Sequence, residues 1–519
     1  MADNISLPPS TIIPANTNYV ANIMDPDFWE RRASLGTSAS PVHGRGESDY
    51  GSFLNFPQDD DFDKSSRYSA RGSFSGHASL RQGDEAFEEH TPFLIHALER
   101  THSLALTQVT ADYKDDPHHP QSPYKSTFAQ SIFNSVNILI GIGILSLALG
   151  IRCGGWVIGM TIFVYCCLLT NYTAKLLARC LDYGAGGNTY GDMGYIAFGD
   201  RGRWLVSILF LTELCTSSIA LVVLLGDALV ALFPTVPMST FRLISLFILT
   251  PLTFLPVRKL SYTSLLGIIS AACLVIVVVV DGLTKEERPG SLRDPMPTDI
   301  WPSDWTTVPL SFGLIMAGFA GHAVFPTVYR DMEEPKHYKT MVNWTYIVTT
   351  LVYFCMAACG YLMFGSTVMQ EITQNIMSTP GYNPTLNRMA VSLIAVNPIA
   401  KYALTLNPVN LTWELALFGQ ERIDAWCNNG RGRRTFLRVI GRIAISSLVV
   451  GIATVYPGFD KVMALLGAFF SFMISGIFPI VCHLRLFSNS MPIREKILNW
   501  ILLIISSILA LTGTAWSFL

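Results

Sequence analysis

Charged residues are scarce in this chain of 519 residues, since only 14% are Asp, Glu, Lys or Arg. A soluble globular protein carries roughly 25% charged residues, so most of this chain cannot be solvated surface. The formal net charge is only −2, whereas a nucleic-acid-binding protein needs many Lys and Arg contacts to phosphate. The composition therefore excludes an ordinary soluble protein and argues against nucleic acid as a partner.

Motifs for catalysis or for metal binding are also missing. The chain has no phosphate-binding loop and no HExxH motif, and its ten cysteines include no close C-x-x-C pair. Most cysteines lie in apolar runs, where they are interpreted as small buried hydrophobes. We predict no cofactor and no metal site. A membrane-embedded enzyme or receptor is the rival class, but acid, histidine and serine residues do not cluster at one interface. A channel is a further alternative, without a repeated filter or charge ring.

Long apolar blocks fill the chain from residue 127 onward, and each is close to the roughly 20 residues that cross a bilayer as a helix. We predict an all-α polytopic membrane protein with about eleven transmembrane helices in the domain 126–519. The predicted spans are 127–150, 154–178, 204–231, 241–256, 262–281, 309–329, 341–363, 388–410, 436–456, 461–483 and 496–518.

Residues 1–125 are rich in Ser, Pro, Gly, Asp and His and have no sustained apolar period. Such a segment cannot bury enough surface to offset the entropy of ordering, so we predict a disordered tail, with a short helix near 93–106. The run at 31–35 (RRASL) resembles a basophilic phosphorylation site, and the run at 50–53 (YGSF) resembles a tyrosine-type sorting signal. A kinase or sorting machinery is the partner that these two runs would predict.

Basic residues in the loops predict the orientation. Lys and Arg are more frequent in the loops on the tail's side, for example at Arg431, Arg433 and Arg434. Because cytoplasmic loops carry the excess of basic residues, we predict a cytosolic N-terminus. An odd number of helices then places the C-terminus on the opposite side.

Two predicted spans contain residues that interrupt a helix. The first reads FNSVNILIGIGILSLALG, and the sixth contains Gly318, Gly321, His322 and Pro326. Interrupted helices at the first and sixth positions are what an inverted repeat of five plus five helices predicts, and in such transporters the half-helix ends face a substrate near the midplane. An α-amino acid, which carries both charges on one carbon, suits such a site, although the spacing alone does not select it.

The same first-span motif, with TYGDMGYIAFGDRGR at 189–203 and GHAVFPTVYRDM at 321–332, resembles the amino acid/auxin permease family over residues 127–518. Within it, the polar tail and the first-span motif are similar to fungal vacuolar transporters that load neutral amino acids by proton exchange. The resemblance implies a LeuT-like carrier in the vacuolar membrane, with neutral amino acids and protons as its small-molecule partners. An amino acid symporter, coupled to protons or sodium, is the alternative. The chain departs from the family at 147–149, where the family often has a proline.

Carried over to this chain, the resemblance implies a substrate pocket formed by the two interrupted helices. The implied residues are Asn137, Ile140, Gly141, Gly143 and Ile144 from the first span and Gly318, Phe319, Gly321 and His322 from the sixth. Close helix packing is the alternative role for each glycine, because small residues are common at membrane helix contacts.

Ionisable residues inside a membrane are costly and mark functional sites. Glu213 lies within the third span, Lys401 midway along the eighth, and His322 beside the sixth-span interruption. All three are candidates for proton coupling. For Lys401, the hypothesis is that its ammonium takes the place of a coupling sodium ion near the first helix; pairing with Glu213 or with carbonyl groups is the alternative. Asp227 and Asp281 fall near helix ends, and we expect them to be solvated.

Overall fold

A computed structural model describes residues 125–183, 187, 189–255, 262–428, 432–456 and 458–518. The predicted tail therefore lies outside the described residues, apart from Lys125. The phosphorylation-like and sorting-like runs and the short helix near 93–106 fall in this undescribed part.

The first half of the described chain contains five helices and one interruption. Helix α1 is followed by an extended residue and a short 3-10 helix, after which the chain continues directly into α2. Their bounds are α1 Phe128–Leu139, the 3-10 helix Ile142–Ser146, α2 Leu147–Leu181, α3 Tyr190–Leu232, α4 Met238–Leu252 and α5 Tyr262–Thr284.

The second half repeats this order. It also begins with an interrupted helix that is followed by a long helix, and its described part contains nine helices, of which α7, α9 and α11 are short. The bounds are α6 Val308–Gly318, α7 Phe325–Asp331, α8 Tyr338–Phe364, α9 Ile372–Ser378, α10 Pro384–Phe418, α11 Glu421–Asn428, α12 Arg433–Val455, α13 Phe459–Leu486 and α14 Ile493–Ser517.

The predicted fold class, an all-α polytopic membrane protein with interrupted first and sixth helices, is confirmed. Eight of the described helices are long and apolar enough to cross a membrane, and two shorter apolar helices, Met238–Leu252 and Trp305–Gly318, accompany them. The total of eleven spans stays a prediction. We call the membrane side where α1 begins the N-side and the opposite side the far side.

Two helix boundaries differ from the sequence-based expectation. The break between the first two predicted spans falls at Gly155, inside the segment named α2, rather than at 151–153; its non-helical φ of 64° and ψ of 178° are accessible to glycine at little cost. Helix α3 begins at Tyr190, well before the predicted span at 204, and it kinks at Gly199 with φ 67°. Its start is stabilised by a capping box in which Thr189 and Asp192 each bond the other's backbone N–H.

The two interrupted helices are joined at the N-side by a short backbone clasp. The Ser126 N–H donates to Asp331 O at 2.7 Å, and the Glu333 N–H donates to Ser126 O at 3.0 Å. These bonds tie the start of α1 to the end of α7, although about 200 residues of chain lie between them.

Helix α13 packs against α6 with almost no space between the two backbones. A Cβ on Gly467 would clash with the backbone of Gly313, and a Cβ on Gly313 would clash with Ala464. The middle of α13, Leu466–Ile477, is π-helical, a conformation that occurs mostly at functional sites. Small residues thus bring α13 against the interrupted sixth helix.

Candidate functional site

The interruption after α1 is centred on Ile140 and Gly141. Ile140 has φ −73° and ψ 85°, and Gly141 has φ −113° and ψ −152°, so neither residue continues the helix. The Gly141 N–H turns back to Leu139 O at 2.8 Å, and the 3-10 helix starts at Ile142. Backbone groups are therefore displaced from the helical ladder in the middle of the membrane, where every polar group needs a partner.

The second interruption separates α6 from α7 by six residues. Gly321 has φ 147°, a value that L-residues with side chains rarely adopt, and a Cβ there would lie 2.9 Å from Ile138 Cγ2. Pro326 follows near the start of α7, where its missing N–H costs nothing. The positive φ of Gly321 keeps the interruption out of helical conformation, and Pro326 favours the start of α7.

The two interruptions touch each other directly. A Cβ on Gly143 would lie 2.8 Å from Gly318 Cα and 2.9 Å from Gly318 N, so only glycine fits at 143. The hydroxyl of Tyr353, a buried residue of α8, lies 2.5 Å from Leu139 O and 2.7 Å from Gly318 O. Tyr353 therefore supplies a donor to carbonyl groups at both interruptions.

A cavity of about 160 Å³ opens where the interruptions meet. Pockets for drug-sized ligands measure roughly 300–1,000 Å³, so this cavity suits a smaller molecule. Five α-helices, the short 3-10 helix and both interruptions contribute its lining, which consists of Ile138, Leu139, Gly141, Ile142, Gly143, Ser217, Leu221, Ala317, Ala320, Lys401, Thr405, Met463 and Leu466.

Three of the sequence-predicted residues line this cavity: Gly141, Gly143 and Lys401. Gly318 lies directly behind Gly143, and Ile140 and Ile144 are buried beside the interruption. Asn137 is half-buried near the end of α1. Their predicted roles in substrate binding stay predictions.

Phe319 and His322 are buried away from the lining. The Phe319 ring packs against Phe163 and Tyr353 at centroid distances of 5.6 and 5.4 Å. His322 Nε2 lies 3.0 Å from Thr170 O and 3.0 Å from Thr173 Oγ1 on α2. Because a carbonyl only accepts, the bond to Thr170 O places a proton on Nε2. His322 thereby attaches the second interruption to α2.

Lys401 lines the cavity and packs against Gly267 of α5. A Cβ on Gly267 would lie 3.0 Å from Lys401 Cε and 3.3 Å from its Nζ, so the glycine makes room for the lysine. Glu213 is half-buried on α3, one turn before the lining residue Ser217. Within the described ranges, no ion pair joins Glu213 to Lys401. The pairing with Glu213 considered above is thus not found there.

Asp227 and Asp281 contradict the expectation of solvated side chains, because they are 4% and 2% exposed. Asp227 sits near the far end of α3, where Arg242 of α4 lies with its Nη2 3.6 Å from Asp227 Oδ1. The sequence pattern could not show that α4 brings a buried arginine to this aspartate.

A second cavity, of about 780 Å³, lies at the far side. Charged side chains from four parts of the chain line it, namely Arg152, Asp227, Asp304 and Asp460, together with Gln370 and Gln374. Arg152 Nη1 donates to Val368 O at 2.7 Å, which connects α2 to the segment before α9. We call this cavity the far-side vestibule.

Comparison with known proteins gives a consistent result. A family model described as "Transmembrane amino acid transporter protein" matches residues 124–519. Amino acid transporter AVT1E of Arabidopsis thaliana is 33% identical over 382 residues, which cover 71% of this chain and 68% of the relative. Amino acid transporter AVT1B of the same plant is 32% identical over 402 residues, 75% of this chain and 70% of the relative.

Solved structures were compared as well. The structure of MhsT in complex with L-phenylalanine superposes with a TM-score of 0.48 at 12% identity, covering 75% of this chain and 98% of that chain. A mutant of the Eremococcus coleocola manganese transporter superposes with a TM-score of 0.45 at 17% identity, covering 78% and 89%.

Proposed function

The chain belongs to the transmembrane amino acid transporter family, and from this premise we propose that it exchanges protons for neutral amino acids across the vacuolar membrane and so loads the vacuole. The observation that carries the proposal is the small cavity between the two helix interruptions, with Lys401 in its wall. In carriers of this design, the amide ends of the half-helices face the carboxylate of the substrate and the freed backbone carbonyls face a cation, and an amino acid carries both kinds of charge.

The lining of the cavity favours a neutral side chain. Apart from Lys401, the side chains that face it are apolar or are the uncharged hydroxyl groups of Ser217 and Thr405. A basic side chain of the substrate would be repelled by the like charge of Lys401. An acidic side chain would need a basic partner in addition to Lys401, and the lining contains no second one. The preference within neutral amino acids then follows from shape.

Coupling to protons rather than to sodium is supported by the same lysine. Lys401 lines the cavity together with Gly141 and Gly143, so its ammonium is placed to serve as the cation beside the first interruption. Glu213 and His322 are the further candidates for the exchanged proton. For His322, the contacts to Thr170 O and Thr173 Oγ1 favour a role in shaping the site.

The excess of Lys and Arg on the N-side supports a cytosolic N-terminus and a lumenal C-terminus. The N-side is then the cytosol and the far side is the acidic lumen. The vacuolar location follows from the resemblance of the first-span motif and the polar tail to vacuolar exchangers.

The experiment that tests the proposal is flux into proteoliposomes that contain the purified chain, with an imposed pH gradient and with sodium present or absent. We expect uptake of tyrosine, leucine or glutamine into acidic vesicles, abolished by a proton uncoupler and indifferent to sodium. Flux that follows sodium and ignores the pH gradient would contradict the proposal and would favour a sodium-coupled symporter.

The variant Lys401→Met separates the role of the charge from that of packing, because methionine keeps an unbranched side chain without the ammonium. We expect proton-driven uptake to be lost while the melting temperature is kept. Sodium-dependent uptake that survives this substitution would rule out the lysine as a replacement for the cation.

A further inference from the structure

Three buried ionisable side chains meet beside the far-side vestibule. Asp227 of α3 and Arg242 of α4 are 4% and 2% exposed, and Glu371, which immediately precedes α9, is 0% exposed. Arg242 Nη1 donates to Ala453 O on α12 at 2.8 Å, and its Nη2 lies 3.6 Å from Asp227 Oδ1. Arg242 is thus held between the backbone of α12 and Asp227.

The two carboxyl groups are near enough to each other to interact electrostatically. Glu371 Oε2 accepts a bond from Thr373 Oγ1 at 2.9 Å, whereas the buried Glu371 Oε1 and Asp227 Oδ1 have no hydrogen-bond partner. Ionised carboxylates only accept hydrogen bonds, so no donor is present between two ionised groups. One bound proton supplies that donor, and it also leaves one negative charge opposite one arginine.

The pair lies beside the far-side vestibule, because Asp227 lines that cavity together with Gln370, the residue next to Glu371. The other charged group that acts on Asp227 is Asp460 of α13, which also lines the vestibule. Burial, and after it the neighbouring Asp227, raise the pKa of Glu371 well above its usual range. Each of these surroundings favours the protonated form.

We propose that Asp227 and Glu371 form a proton-binding pair loaded from the far side, and that the shared proton holds the segment 365–372 closed over the far end of α3. The identification of the far side as the acidic lumen rests on the proposed function; the proton-binding pair itself does not. When the proton leaves, Asp227 and Glu371 are both negatively charged and only Asp227 has an arginine beside it, so Glu371 gains free energy by moving into water.

The sign of the pH effect follows from the raised pKa. The closed segment is stable at low pH, where Glu371 carries its proton in both the closed and the open arrangement. Its stability falls as the pH rises from about 4.3, the usual pKa of glutamate, through the raised pKa of the closed arrangement. For a single proton the ratio of closed to open molecules falls by at most about tenfold per pH unit.

Hydrogen–deuterium exchange of the full-length purified protein measures this ratio without any need for transport. We expect peptides that cover 365–376 to lose protection, after correction for intrinsic exchange rates, as the pH is raised stepwise above about 4.3, the usual pKa of glutamate. In Glu371→Gln the amide is a permanent donor, so protection of this segment should not depend on pH. Glu286→Gln, at an exposed far-side glutamate, is the matched control and should behave like the wild type.

Two results would overturn the proton-binding pair: constant protection of the wild type across this range, or an unchanged pH dependence in Glu371→Gln. Should Glu371→Gln fail to fold, Asp227→Asn tests the same contact. Infrared difference spectra give an independent signature, a carboxylic-acid C=O band that Glu371→Gln removes. Neither hydrogen–deuterium exchange nor infrared spectroscopy depends on transport. The proton-binding pair can therefore be confirmed or refuted even if the proposed transport function is wrong.

Discussion

One methyl group added at Gly143 should disable the carrier by separating the two helix interruptions. In Gly143→Ala the new Cβ would lie 2.8 Å from Gly318 Cα, 2.9 Å from Gly318 N and 3.1 Å from Ala317 C. All three atoms belong to backbone, so no side chain can rotate away. Non-bonded carbon atoms prefer about 3.5–4.0 Å, and the chains must therefore part by about 0.7 Å or more at this point.

The cost of this separation sets the expected magnitude. Overpacking a close contact costs about 1–3 kcal/mol, and an energy of that size corresponds to roughly 5- to 150-fold in an equilibrium constant. Because Gly143 and Ala317 both line the cavity, the displacement changes the substrate site itself. We expect substrate affinity to fall by about tenfold or more and the melting temperature to fall as well.

The assay compares uptake in proteoliposomes with the thermal stabilisation that leucine or tyrosine gives the purified protein, since a ligand that binds only the folded state raises its stability with the logarithm of the ratio of ligand concentration to Kd. Gly451→Ala is the matched control: a Cβ at Gly451 on α12 meets nothing within 4 Å, and alanine is the better helix former. Wild-type affinity and stability in Gly143→Ala would refute the direct contact between the interruptions.

Further substitutions test other parts of the site. Tyr353→Phe leaves two buried carbonyl groups without their shared donor, which costs about 1–3 kcal/mol, and we expect weaker substrate binding. The control Tyr456→Phe, at an exposed tyrosine, should leave binding unchanged. Equal substrate affinity in the two variants would contradict the role of Tyr353. Arg242→Met removes the buried partner of Asp227, and breaking such a pair costs about 3–5 kcal/mol. We therefore expect a lower melting temperature at neutral pH. An unchanged melting temperature would show that Arg242 does not stabilise the fold.

The membrane topology was readable from the sequence because lipid imposes a length and a polarity on every crossing segment. The interruptions were readable for a related reason, since Gly141, Gly143, Gly321 and Pro326 act through local backbone geometry. Of the predicted pocket residues, Gly141, Gly143 and Lys401 line the cavity.

The contributions of other helices could not be predicted in the same way. Tyr353 is one aromatic residue in a long apolar helix, and nothing near it in sequence indicates that its hydroxyl reaches two interruptions. The buried state of Asp227 depends on Arg242 and Glu371, which lie on other parts of the chain. Likewise, the room that Gly267 leaves for Lys401 depends on how α5 packs against α10. Such relations arise from tertiary packing, on which local patterns carry no information.

The clasp at Ser126 has a consequence for how the N-side opens. Moving α1 alone would break two backbone hydrogen bonds to the chain around α7, whereas moving both half-helices together would keep them. Helices α1 and α7 are therefore expected to move together as one rigid body, although they come from opposite halves of the sequence. A substrate leaving toward the N-side would then be released from both of its half-sites in a single step.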